Sequence, residues 1–298
     1  MRIERLALIG TGLIGGSLSL ALREQGAVGE VVGYSRRLDT RLAAQRLGLI
    51  DRPADSIAEA VAGADMIFLA TPVTAMDAVL AELAGCLPEG ALITDGGSVK
   101  GAVVERARAH LAAEQLARFV PGHPIAGRER SGPEAATAEL YRDHRVILTP
   151  LPENAAEDVA RVEAMWRAVG ARVERLDVAH HDHVLAATSH LPHAAAFAMV
   201  SALTRLAERY EVFRYAAGGF RDFTRIASSD PVMWRDICLD NRDEILGLMD
   251  HYRDELDRLR DLIAERDGEG LERYLTEAKD VRDALYPAAD VDVDEPGA

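Results

Sequence analysis

Gly10-Thr11-Gly12-Leu13-Ile14-Gly15 is the stretch on which the fold turns. It fits the pattern G-x-G-x-x-G, which alone says little. Its context says more: the apolar run 5–9 before it reads as a strand, and 15–25 after it reads as a helix with Leu18 and Leu22 on one face. A strand, a glycine turn and a helix in that order form a phosphate cradle. Gly10 allows the tight turn, Gly12 lets a pyrophosphate approach the backbone, and Gly15 lets helix and strand pack closely. The helix N-terminus then turns free N–H groups and its positive dipole end towards the phosphates. Leu13 and Ile14 count with the three glycines as cofactor-binding positions.

Working outward from this turn, 30–34 reads as a second strand, 41–47 as a helix, and 66–70 as a continuous apolar run stopped by Thr71-Pro72. Short apolar runs recur at 91–94, 119–120 and 146–149, then a helix at 157–169 and a last strand at 171–176. Runs that are apolar on both faces and separated by helices predict a doubly wound α/β domain with a mainly parallel sheet covered on each side. Beyond residue 177 the segments 184–209, 231–264 and 271–285 are helical in period and no strand is evident. The expected organisation is a dinucleotide-binding domain over 1–176, an all-helical domain over 177–286 and an acidic tail over 287–298. The tail is read either as disordered or as a linker. Apolar faces left over in the helical half make a homodimer the expected assembly.

The chain has 298 residues, 48% hydrophobic and 28% charged, which suits a globular protein with a sizeable core. Its net charge of −15 argues against nucleic acid as a partner, because phosphate backbones need a basic surface. A local cluster of Arg and His can still bind a small anion. No signal peptide is read at the N-terminus, and no apolar run approaches the roughly 20 residues of a membrane span, so a cytoplasmic location is expected. Cys86 and Cys238 lie in apolar stretches and are expected to be buried free thiols in a reducing compartment.

The second strand ends at Tyr34-Ser35-Arg36-Arg37. A site that prefers NAD usually places Asp or Glu there to bond the ribose 2′-OH. Ser35 with Arg36 and Arg37 would instead accept a 2′-phosphate, so the expectation leans to NADP or to use of both NADP and NAD. Three loops follow strand ends, where ligands of open α/β sheets bind. They are Thr71-Pro72-Val73, Asp95-Gly96-Gly97-Ser98-Val99-Lys100 and Gly122-His123-Pro124-Ile125-Ala126-Gly127. The helical half adds Ser189-His190-Leu191-Pro192-His193 and Gly219-Phe220-Arg221-Asp222-Phe223-Thr224-Arg225, with Trp234 beyond.

Taken together, in this order and at these spacings, the motifs resemble those of the prephenate/arogenate (cyclohexadienyl) dehydrogenase family over nearly the whole chain. The resemblance implies a Rossmann domain joined to a helical dimerisation domain. It also implies an NAD(P)-dependent oxidoreductase acting on CH-CH donors, which converts prephenate to 4-hydroxyphenylpyruvate in tyrosine biosynthesis, with arogenate as a possible further substrate. His123 matches the histidine that accepts a proton from the ring hydroxyl, a task suited to imidazole. Ser98 matches a serine that bonds both that histidine and the substrate. Arg225 matches the holder of the ring carboxylate, where a guanidinium fixes angle as well as position. Arg221 has a supporting place.

The resemblance associates the later histidine of this motif, His193, with acceptance of prephenate, and His190 is read with it as a substrate-binding residue. Ser189 reads as a helix N-cap and Pro192 as a first-turn residue, which puts both histidines near a positive dipole end. Lys100 either reaches the cofactor or is solvated, and Glu129 matches a position linked to site access or is a surface carboxylate. Trp234 is read as a buried anchor with a satisfied N–H. His180, His181, His183, His190 and His193 raise the question of a metal, but no third ligand with an open position is evident and none is expected. A β-hydroxyacid-type dehydrogenase would use a lysine in the helical half, which has only Lys279.

Overall fold

The computed structural model describes residues 2–128, 130–206 and 209–286. Glu129 and the acidic tail 287–298 lie outside them. The described residues fall into two compact units, divided between Ile245 and Leu246.

The first unit is built on a six-stranded sheet ordered β3-β2-β1-β4-β5-β6. Its strands are β1 (Ile3–Ile9), β2 (Val28–Tyr34), β3 (Arg52–Pro53), β4 (Met66–Leu69), β5 (Leu92–Asp95) and β6 (Phe119–Val120), and every pairing is parallel. This is the doubly wound order, whose direction reverses between β1 and β4 and leaves a crevice outside their C-terminal ends. The physical reason is visible residue by residue. Leu6, Leu8, Met66, Phe68 and Leu92 enter one apolar layer, with Leu18, Leu22 and Trp166. Their neighbours Ala7, Ile9, Ile67, Leu69 and Ile93 enter the opposite layer, with Ile57, Leu80 and Val103. Side chains that alternate between two buried faces need apolar residues at every position.

Three further strands form a second sheet, ordered β7-β8-β9: β7 (Gly122–Pro124), β8 (Arg145–Leu148) and β9 (Arg172–Arg175). β7 runs antiparallel to β8 with His123 opposite Ile147, while β8 and β9 are parallel. β7 is too short for period-2 patterning and is not among the strands expected from sequence. Asp177 caps the next helix, its carboxylate accepting from His180 N at 2.9 Å. That helix (Val178–Leu185) passes through a wide turn (Ala186–His190) into Leu191–Thr204 without a break. Ser189 is therefore no N-cap, contrary to the sequence reading, and His190 and His193 do not sit at a free helix end. Pro192 has no N–H to give to the preceding turn, which suits the loosened ladder of a π-type turn.

Helix Pro231–Asp240 is capped by Asp230 and ends at Asn241. Thr74 Oγ1 donates to Asp236 Oδ2 at 2.7 Å and Arg106 pairs with Asp240 at 2.7 Å, so this helix is tied to the helices over the sheet. Helix Arg242–Glu265 follows.

In the second unit the remainder of that helix precedes Gly268–Leu285, which is capped by Asp267 accepting from Gly270 N at 2.9 Å. Leu246, Met249, Leu256, Ile263, Leu275 and Val281 are exposed there. Among the described residues no helix is long and apolar enough to cross a membrane. Cys86 and Cys238 are free but half-buried, where full burial was expected. Cys86 lies in the turn after helix Met76–Ala84 and Cys238 on helix Pro231–Asp240.

Candidate active site

The cradle forms as its glycines require. Gly10 has φ +105°, and a Cβ there would lie 2.4 Å from the Ala70 carbonyl oxygen on the neighbouring strand end. At Gly15 a Cβ would lie 2.2 Å from Gly10 O and 2.6 Å from Leu8. Gly12 faces open space, with nothing within 4 Å of where a Cβ would stand. Helix Leu13–Glu24 starts immediately after it with no side-chain cap, so its first N–H groups are left for a ligand. Leu13 and Ile14 are half-buried in that first turn. Thr71 Oγ1 is buried with no hydrogen-bond partner, beside Gly10, and Pro72 is exposed next to it. An uncapped helix end, a Cβ-free approach and an orphaned hydroxyl fit a dinucleotide pyrophosphate.

At the end of β2, Ser35 Oγ accepts from Thr11 N at 3.0 Å and lies 2.8 Å from Thr11 Oγ1. Arg36 and Arg37 are exposed, and Arg37 makes only a loose 3.7 Å pair with Asp39. No carboxylate takes the Ser35 position.

Asp95 ends β5 and is fully buried. It accepts from Gly97 N at 2.7 Å, from Gly122 N at 3.1 Å and from Lys100 Nζ at 2.5 Å. Lys100 Nζ also donates to Gly122 O at 2.6 Å. Lys100 is itself fully buried, so it neither reaches solvent nor is left for a cofactor, as the sequence reading had allowed. Burial pushes its ammonium below the ordinary lysine range against the pull of Asp95. The pair is a buckle that fastens the Gly97-Ser98 loop to the strand bearing His123. Removing one partner of such a buried pair typically costs about 3–5 kcal/mol.

His123 is buried on β7. Its Nδ1 lies 2.9 Å from His181 Nε2, and His181 Nδ1 lies 2.8 Å from Asp182 Oδ1. Asp182 also accepts from Lys100 N at 2.8 Å and Gly101 N at 2.7 Å. Burial pushes the Asp182 carboxyl up, but these hydrogen bonds outweigh it and hold it below the ordinary value. Burial above all, reinforced by the electrostatic influence of the basic groups around it, Lys100 among them, holds His123 well below the ordinary histidine range. A neutral imidazole ready to take a proton is the chemical consequence.

His190 is buried and lies 3.1 Å, through Nδ1, from Asn241 Nδ2, which also donates to Asp182 O at 2.9 Å. Burial pushes His190 down to about 4. His193 is half-buried; its Nδ1 donates to Ser189 O at 2.8 Å and its ring stacks on Trp234 at 3.7 Å. Burial, with the charge of Arg225, lowers the pKa of His193 against that hydrogen bond. Trp234 is buried as expected, yet its Nε1 has no partner where a satisfied N–H was anticipated. The indole is held instead by ring contacts with His190 and His193 and by Val99 and Ile237.

Arg225 is exposed, close enough to His193 for its charge to be felt there, and Arg221 is exposed on helix Gly218–Thr224. Ser98 is half-buried between the Asp95 buckle and helix Lys100–His110. The Nδ1 of His123 is taken by His181, so a Ser98 bond to that ring has to involve Nε2.

Sequence raised His181 only as one of several clustered histidines and Asp95 only as part of its loop, and it gave Asp182 and Asn241 no role. The signal for His181 and Asp182 lay in the helix period: they share their face with Leu185 and Ala186, four residues on, and all four are buried. His180 and His183 are exposed, the latter 2.7 Å from Glu244. Among the described residues no group of three or more His, Cys, Asp or Glu side chains is arranged to hold a metal ion.

Two family models match the chain. One, described as the nucleotide-binding domain of prephenate dehydrogenase, matches residues 18–175, and the other, described as its dimerization domain, matches 177–277. A cyclohexadienyl dehydrogenase from Zymomonas mobilis is 39% identical over 97% of this chain and 98% of its own length. A prephenate dehydrogenase from Bacillus subtilis is 39% identical over 95% of this chain and 76% of its own. Among solved structures, prephenate dehydrogenase from Aquifex aeolicus, in complex with hydroxyphenyl propionate and NAD+, superposes with a TM-score of 0.89. It is 38% identical, over 96% of this chain and 99% of that one. A Synechocystis arogenate dehydrogenase superposes with a TM-score of 0.81 at 28% identity, over 94% of this chain and 99% of that one.

Proposed function

The chain belongs to the prephenate dehydrogenase family, and we propose that it catalyses the NAD(P)-dependent oxidative decarboxylation of prephenate to 4-hydroxyphenylpyruvate. The observation that carries this reading is His123: a buried imidazole held neutral on a strand fastened to Asp95, one strand end from the crevice that holds the cradle. The proposed domains are a dinucleotide-binding one over 1–176 and a helical substrate and dimerisation one over 177–286, with a homodimer as the assembly.

His123 accepts the proton of the ring hydroxyl at Nε2. The bound nicotinamide supplies the acceptor for the hydride that leaves the carbinol carbon. Loss of CO₂ then makes the ring aromatic, which renders the step effectively irreversible. Ser98 bonds the reacting hydroxyl beside Nε2. Arg225 holds the ring carboxylate by paired charge-assisted hydrogen bonds, with Arg221 in support. His193 uses Nε2 for the side-chain carboxylate, since its Nδ1 is committed to Ser189 O. It donates there only as the imidazolium, a form that an arriving carboxylate favours. His190 keeps the neighbouring wall neutral. This favours prephenate, with arogenate as a second substrate.

Gly10, Gly12, Leu13, Ile14 and Gly15 would hold the pyrophosphate, with Thr71 and Pro72 beside it. Ser35, Arg36 and Arg37 take the adenosine ribose, and the lack of a carboxylate there favours NADP or equal use of both dinucleotides. Initial rates of nicotinamide reduction, with prephenate and arogenate crossed against NAD and NADP, test the whole. Prephenate is expected to turn over, with NADP at least as effective as NAD. No turnover with any pair, in protein that binds dinucleotide, overturns the reading.

A further inference from the structure

The hydrogen bonds around His123 settle which of its nitrogens carries the proton. At Asp182, Lys100 N and Gly101 N are backbone donors and can only donate, so the carboxylate accepts at both oxygens. His181 Nδ1, 2.8 Å from Oδ1, is then the N–H side of its ring. His181 is fully buried, and burial, reinforced by the Lys100 charge, lowers its pKa despite Asp182, so the ring is neutral and its Nε2 is a bare acceptor. The group facing that acceptor is His123 Nδ1, at 2.9 Å, which must donate. A neutral imidazole has one N–H, so His123 Nε2 is unprotonated.

We propose that Asp182 and His181 form a two-step tautomer lock that presents His123 Nε2 as the basic atom. Both act through His123 and are positioning residues. The inference rests on the proposed function, because only a reaction that removes a proton needs that nitrogen bare. When Nε2 takes the substrate's hydroxyl proton, the imidazolium keeps its Nδ1–H···His181 bond, and the ionised Asp182 lies at the far end of the chain of bonds. No proton has to leave Nδ1. Without the lock, the alternative tautomer places N–H at Nε2 and the ring cannot act as a base. Where the same device holds a serine protease histidine, the wrong tautomer costs about 10⁴-fold in kcat.

Two measurements on the full chain test this. The first is the imidazole ¹⁵N spectrum of the wild type with bound dinucleotide at neutral pH, with His123 assigned by difference from His123→Asn. A neutral ring protonated at Nδ1 is expected, and protonation at Nε2 overturns the proposal. The second compares His181→Phe, which fills the space but accepts nothing, with His181→Gln, whose Oε1 can accept from His123 Nδ1. With prephenate, the Phe variant is expected to lose at least about 100-fold in kcat with KM within about twofold, and the Gln variant to recover to within about tenfold of wild type. Wild-type kcat in the Phe variant, or equal losses in both, means that His181 is only packing and overturns the lock. If the wild type turned over no substrate, the proposed function would fail, and the spectrum would still report on the lock.

Discussion

The phosphate cradle follows β1 of the six-stranded sheet and the histidine cluster gathers around β7 of the second sheet, and the two are built in opposite ways. The cradle is six consecutive residues, 10–15, that act through backbone: two glycines leave no room for a Cβ and a helix end is left uncapped. The cluster gathers His123 from a short strand, His181, Asp182 and His190 from one helix, and Asn241 from the end of another, and acts through side-chain hydrogen bonds. Backbone devices tolerate replacement of their non-glycine members, whereas a chain of hydrogen bonds depends on every link. The two regions should therefore fail separately.

The largest effect is expected at His123. In His123→Asn, kcat with prephenate should fall about 1,000-fold, as loss of a general base requires, while the dinucleotide Kd stays within twofold. Calorimetric titration beside initial rates checks both; a comparable loss of affinity would mean that the cradle and the cluster are one unit. Next in size is a pH effect confined to the cluster. Burial holds His190 at about 4 in the folded protein against 6.5 for the free side chain. The unfolded chain then binds more protons than the folded one between those values, so the contribution is intact above pH 6.5 and is lost as pH falls towards 4. A shift of that size corresponds to about 3 kcal/mol. Urea midpoints across this range should drop more steeply in wild type than in His190→Gln. Parallel curves would show that His190 takes up its proton without cost.

Legibility follows the same division. The cradle and the strands were readable because their causes are local: glycine geometry and apolar residues on both faces. Strand 66–70 is observed as Met66–Leu69 and 91–94 as Leu92–Asp95, each within a residue or so. His123, Arg225 and His193 were found through the resemblance. His181 was grouped with His180 and His183 because they are neighbours in sequence, and the helix then turned it inward and its neighbours out. Its bond to His123 spans 58 residues, and that of Asn241 to Asp182 spans 59, distances over which no spacing rule operates. The cap assigned to Ser189 failed for a related reason. Ser before His-Leu-Pro looks like a helix start, but the helix from Val178 arrives already formed and meets the proline just after a wide turn.

A smaller effect is expected in the cradle itself. In Gly15→Ala the new methyl meets Gly10 O at 2.2 Å, so the turn has to move. Overpacking of this kind costs roughly 1–3 kcal/mol, which should weaken dinucleotide binding about tenfold or more. The imidazole spectrum of His123 should not change, and a change would again join the two regions.

The smallest expected effect probes the far end of the cradle, where the sequence departs from the NAD pattern. Ser35 Oγ accepts from Thr11 N, a bond that an Asp carboxylate can also accept. Ser35→Asp should therefore keep the turn intact while changing the charge beside the ribose. A carboxylate repels a 2′-phosphate and bonds a 2′-hydroxyl, so kcat/KM for NADP should fall about tenfold relative to NAD, or about 1.4 kcal/mol. Arg36 and Arg37 remain exposed in the variant and still attract the phosphate, which is why the effect is set no higher. An unchanged ratio would place cofactor choice on the two arginines and leave Ser35 as a brace for Thr11. A ratio that falls only together with affinity for both dinucleotides would instead mean that the carboxylate disturbs the cradle.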